Sequence, residues 1–94
     1  MYVILLKYLK PIEEVNKQVV PHRAYLETLL QEGILIASGP QIPRTGGVFL
    51  FKGIERSEVD ELIAKDPFSI EGIAEYTVIQ FDPVKQSEAL KGLL

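Results

Sequence analysis

Ninety-four residues, 47% hydrophobic and 24% charged, make one domain near the lower end of sizes that hold a single core. The absence of cysteine excludes disulfides, thiolate metal sites and a cysteine nucleophile, and fits a cytoplasmic location. A net charge of −3, with ten Lys and Arg scattered along the chain, argues against a nucleic-acid partner.

The apolar run from Met1 to Leu6 has no basic segment before it and is cut short by Lys7 and Lys10. It is expected to be a strand of the mature fold, neither a signal peptide nor a membrane span. Tyr2 to Leu9 is apolar on both faces, so it reads as a central strand covered on both sides. Pro11 suits a helix start, and Ile12 to Gly33 reads as helical, with Val15, Val19, Leu26, Leu29 and Leu30 facing inward. Pro21 interrupts this pattern, and the main helix is expected to begin there. Gly33 supplies the stop.

Ile34 to Ser38 is a short apolar strand closed by Gly39-Pro40, and Gly39 to Gly47 reads as a loop. Val48 to Lys52 resumes as a strand, apolar on both sides. Ser57 is expected to cap a second helix whose stripe is Val59, Leu62 and Ile63, and Asp66-Pro67 to end it. Ile73 to Phe81 is the fourth strand, and Val84 to Leu94 an amphipathic tail with helical character.

The order β-α-β-β-α-β is the ferredoxin-like split βαβ plan, an α+β fold with both crossover helices on one face of a four-stranded sheet. The other face is apolar too, which predicts a homodimer packed sheet to sheet, with higher assembly open. A cleft between helices and sheet, or between subunits, is the natural place for a small-molecule ligand.

Four segments carry a resemblance: Pro21-His22 opening the long helix, Glu32-Gly33 closing it, Ser38-Gly39-Pro40 after the second strand, and Asp66-Pro67-Phe68 after the second helix. In their order and spacing, from Tyr2 to about Phe81, the chain resembles the YciI-like (YCII-related) family. The resemblance implies one YciI-like domain over 1–94, with 82–94 as a tail. It also implies a dimeric α/β barrel of ferredoxin-like halves, and a His–Asp active site that falls on His22 and Asp66. The family is functionally diverse. One relative dechlorinates a hydroxylated aromatic, and similar barrels include muconolactone isomerases and cofactor-free oxygenases. The loop after Pro40 is shorter than in some relatives, which would alter the pocket.

His22, the only histidine, falls on the inner face with Leu26 and Leu29 at i+4 and i+7. An imidazole there can serve as general acid or base, although the positive end of the helix dipole disfavours its charged form. The competing reading is a buried histidine that fixes the helix start. Asp66, expected at a helix C-terminus, would sit against the dipole's negative end, an unfavourable place that a functional role would explain. Asp before Pro is also an ordinary helix stop.

Ser38, Gly39 and Pro40 at a strand end, Arg44 on the loop, and Phe68 are candidate substrate-binding residues. Tyr8, Tyr25 and Phe49 are further candidates to line a pocket for a flat ligand. One histidine and no cysteine leave no metal site, and no cofactor motif is present. The leading expectation is a small cofactor-independent enzyme that performs elimination, isomerisation or hydrolysis on a small organic, aromatic or cyclic, molecule. The alternative is a dimeric ligand-binding or interaction module that performs no chemistry; an oxygenase-like barrel is a third.

Overall fold

The computed structural model describes residues 1–93. The chain runs β1 (Tyr2–Tyr8), α1 (Ile12–Lys17), α2 (Val19–Gln31), β2 (Leu35–Pro40), β3 (Gly46–Phe51), α3 (Arg56–Ala64), α4 (Pro67–Ile70) and β4 (Ala74–Gln80), followed by a 3-10 turn at Glu88–Leu90. The four strands form one sheet in the order β2-β3-β1-β4, with every neighbouring pair antiparallel. This is the ferredoxin-like α+β arrangement expected from the order of elements.

Alternation along β1 decides the core. Tyr2, Ile4 and Leu6 are buried together with Phe49 and Phe51 of β3 and Ala74 of β4. Val15, Leu26, Leu29, Val59 and Phe68 cover them from the helices. Ile4 lies between Phe49 and Val78 in the two ladders and is fully buried, worth roughly 1.5–3 kcal/mol for a side chain of that size. The opposite face carries Val3, Leu5, Val48 and Leu50, all only partly covered. Leu30, expected inside, is instead 42% exposed, because Leu26 and Leu29 already fill the seam against the sheet.

The helical segment breaks at Gln18, earlier than Pro21 suggests. Gln18 is at once the end of α1 and the N-cap of α2, so Pro21 becomes the third residue of α2. Its missing N–H is one of the first-turn donors that have no helical partner anyway. At the other end Gly33 adopts φ 77°, and the N–H groups of Gly33 and Ile34 bond back to Leu30 and Leu29. That pair of bonds is a Schellman stop, which needs the left-handed residue glycine supplies.

The loop expected over Gly39 to Gly47 contracts to 41–45, because β2 continues through Pro40 and β3 already starts at Gly46. Pro40 is tolerated because β2 is an edge strand. Gly46 pairs with Lys7, and a Cβ there would stand 1.8 Å from the Leu6 carbonyl oxygen, so only glycine permits this approach. Ser57 is not the cap of α3. The helix starts at Arg56, with Glu55 as N-cap and no side-chain cap bond. Beyond Phe81 the only helix described is the three-residue 3-10 turn, and Leu94 lies outside the described residues.

Candidate active site

The first turns of α2 carry His22 over the inner face of the sheet, where its ring lies flat on Phe68, with centroids 3.7 Å apart and planes 4° from parallel. Phe49 of β3 stands on the same ring at 5.9 Å. The histidine side chain keeps 12% exposure. Its Nδ1 lies 2.6 Å from Oδ1 of Asp66. An ionised carboxylate only accepts, so Nδ1 carries the hydrogen, and in the neutral ring the lone pair belongs to Nε2.

Asp66 is fully buried, and its position differs from the expected helix C-terminus. Lys65 ends α3, while Asp66 adopts an extended conformation and caps α4, with Pro67 at the first helical position. The extended backbone follows from the proline after it, and proline is favoured at that first position. Oδ1 accepts the Phe68 N–H at 3.1 Å, so one carboxylate oxygen serves both the helix cap and the histidine. The carboxylate thus meets unpaired N–H groups rather than the negative end of a helix, which reverses the electrostatic expectation.

The third donor comes from a residue that the sequence reading passed over. Tyr76 sits opposite Leu6 in the β1–β4 ladder, and its hydroxyl donates to Oδ2 of Asp66 at 2.6 Å. Burial, then the Asp66 charge and that hydrogen bond, raise the pKa of Tyr76 far above the usual phenol value. Tyr25 is pushed up to about 12, first by burial and then by the charges of Asp66 and Glu32. Tyr25 does not face the cleft as expected. Its hydroxyl is spent on the Leu62 carbonyl, at 2.7 Å, tying α2 to α3. Among the described residues no buried side-chain N or O lacks a partner.

His22 forms one wall of a pocket of about 250 Å³ between α2, the ends of β2 and β3, and the 41–45 loop. Val19, Arg23 and Leu26 flank it on α2, while Leu6, Tyr8 and Phe49 form the floor. Ser38, Gly39, Pro40, Arg44 and Phe68 all line the same space. Ser38 and Pro40 reach it because of a register shift between Leu35 and Ala37, which leaves Ile36 as the extra residue. That bulge inverts the alternation from Ala37 onward, and it is the kind of irregularity that re-aims a side chain at a site. Arg44 lies over the Tyr8 ring at 5.9 Å, within cation–π range. Arg23 is a pocket residue that the sequence did not single out.

These groups can hold a small flat molecule against aromatic walls and offer it one imidazole nitrogen backed by a buried carboxylate. Among the described residues no cluster of three or more His, Asp or Glu is placed to hold a metal ion, and no helix is long and apolar enough to cross a membrane.

No curated protein matches this chain significantly. Among solved structures, the fold is similar to that of 5-chloro-2-hydroxyhydroquinone dehydrochlorinase from Burkholderia phenoliruptrix, in complex with 2,5-dihydroxybenzoquinone. The TM-score is 0.72, at 20% identity over 87% of this chain and 94% of that one. The family model described as the YCII-related domain matches residues 1–82, and the chain belongs to that family.

Proposed function

We propose that the protein is a small cofactor-independent enzyme that moves a proton on a compact, ring-shaped organic substrate. The 2.6 Å contact between His22 Nδ1 and the fully buried Asp66 carries this reading. In this account Nε2 accepts a proton from a substrate C–H or O–H. Asp66 holds the tautomer that leaves Nε2 basic and offsets the charge of the imidazolium that forms. In an elimination the electron pair left behind by that proton forms the new double bond as the leaving group departs with the electron pair of its own bond, and His22 then returns its proton to solvent. Elimination is favoured over isomerisation or hydrolysis because the structural neighbour is a dehydrochlorinase. Ser38, Gly39, Pro40, Arg44 and Phe68 would orient the ring.

The working unit in this reading is a homodimer. Its support is the partly covered apolar face of Val3, Leu5, Val48 and Leu50, turned away from the helices.

The test follows chloride release from 5-chloro-2-hydroxyhydroquinone, together with deuterium uptake from D2O by a panel of cyclic ketones and hydroquinones. Turnover that vanishes in His22→Gln, with the melting temperature little changed, would support the assignment. Equal turnover in the variant would end it.

A further inference from the structure

The charged groups that line the pocket are all of one sign. Arg23 and Arg44 stand in its wall, and no carboxylate does. Asp66 lies behind His22, with both its oxygens occupied by His22, Phe68 and Tyr76. Among the described residues neither arginine is in an ion pair, although Glu27 follows Arg23 by one helical turn. In a chain of net charge −3, a cavity edged by two unpaired guanidinium groups is a local reversal. Such a lining concentrates anions from solution and repels cations.

Size and wall chemistry narrow the class further. A volume of about 250 Å³ falls just below the roughly 300–1,000 Å³ of clefts that take drug-sized ligands, which limits the occupant to a single ring with short substituents. Tyr8, Phe49 and Phe68 give that ring apolar faces to lie against. A guanidinium presents its N–H groups as a planar fork that matches a carboxylate in two parallel hydrogen bonds, a match no lysine makes.

We infer that the pocket is selective for a single-ring carboxylate, with Arg23 and Arg44 binding its carboxylate and the aromatic walls its ring. This deepens the reading of the pocket as a substrate site and rests on it. It makes Arg23 a specificity residue alongside Arg44. The acid–base pair at His22 would then act on the ring, while the two arginines hold the charged end.

Binding tests this without turnover. The native protein is titrated with 4-hydroxybenzoate and with its neutral counterpart 4-hydroxybenzamide, following the backbone amide signals of Ser38, Gly39 and Gly47. The expected result is a Kd for the benzoate at least about tenfold below that of the amide. Arg23→Gln and Arg44→Gln should each weaken the benzoate by about tenfold or more, the loss of a charge-assisted hydrogen bond, and leave the amide unaffected. Arg44→Lys should recover only part of the loss. Both arginines are exposed, so these variants are expected to fold.

The inference is overturned if the amide binds as well as the benzoate, if neither shifts those signals, or if both arginine variants bind the benzoate like the native protein. The two readings can fail separately. Anion binding without any His22-dependent turnover would retain the carboxylate site and remove the enzyme. Turnover of neutral rings with no preference for anions would do the reverse.

Discussion

Replacing Asp66 with alanine would strand three donors at once: the His22 imidazole, the Tyr76 hydroxyl and the Phe68 amide. The residue is wholly buried, so water cannot enter freely in its place. Losing the cap of α4 costs about 1 kcal/mol. Each hydrogen bond to a charged group is worth about 1.5–3 kcal/mol, and for His22 this is reduced because its side chain is 12% exposed to solvent. The combined loss is about 4 kcal/mol. A 94-residue domain melts roughly 4–8 °C lower for each kcal/mol, so Asp66→Ala should fall by about 15 °C or more. Asp66→Asn should fall far less. Its amide oxygen can still serve Phe68 and His22, and its NH2 can donate to a Tyr76 hydroxyl turned to accept. Urea and thermal unfolding at matched protein concentration give both values. Asp66→Ala within about 1 kcal/mol of native stability would refute the view that this carboxylate organises the site.

Two further outcomes follow from the same geometry. Gly46→Ala should lose folded protein in soluble expression and circular dichroism, because its Cβ would overlap the Leu6 carbonyl and force apart the β1–β3 ladder at the pocket floor. High pH should destabilise the protein through Tyr25 and Tyr76, whose folded pKa values lie above the ordinary 10.0. The unfolded chain gives up these protons first, so their contribution is complete below about pH 10 and declines as pH rises through the value of about 12 reached by Tyr25. Melting temperatures across this range should drop less steeply in Tyr76→Phe, and absorbance near 295 nm should show two late-titrating tyrosines. A native melting temperature flat up to pH 12 would contradict this.

Much of the fold was legible because alternation and stop signals are local. Tyr2, Ile4 and Leu6 alternate with Val3 and Leu5, and that alone places a strand with an inner and an outer face. His22 was legible for the same reason, standing on the helical stripe of Leu26 and Leu29. The misread features depend on what lies across the chain. Gly46 looks like a loop residue until the Leu6 carbonyl beside it is known, and it is a strand residue chosen for close approach.

Asp66-Pro67 was read as a stop because a proline disfavours helix before it. The same pair is also an N-cap followed by a favoured first residue, and that signal was present in the sequence. The bulge at Ile36 carries no local mark, so the face of Ser38 was open until β2 paired with β3. Tyr76 was within reach, since alternation along β4 sets it on the face of Ala74 and Val78. Its meeting with Asp66, ten residues earlier, depends on α4 turning the chain between them.

The central claim is that Asp66 holds His22 with its hydrogen on Nδ1 and its lone pair on Nε2. The most direct test is the tautomer of His22, read from two-bond and three-bond nitrogen–proton correlations in 15N-labelled protein at a pH where the ring is neutral. The account predicts the Nδ1–H form in the native protein, with that hydrogen shifted far downfield by the short bond to the carboxylate, and a mixture or reversal in Asp66→Ala. A native ring in the Nε2–H form, unchanged by Asp66→Ala, would contradict it.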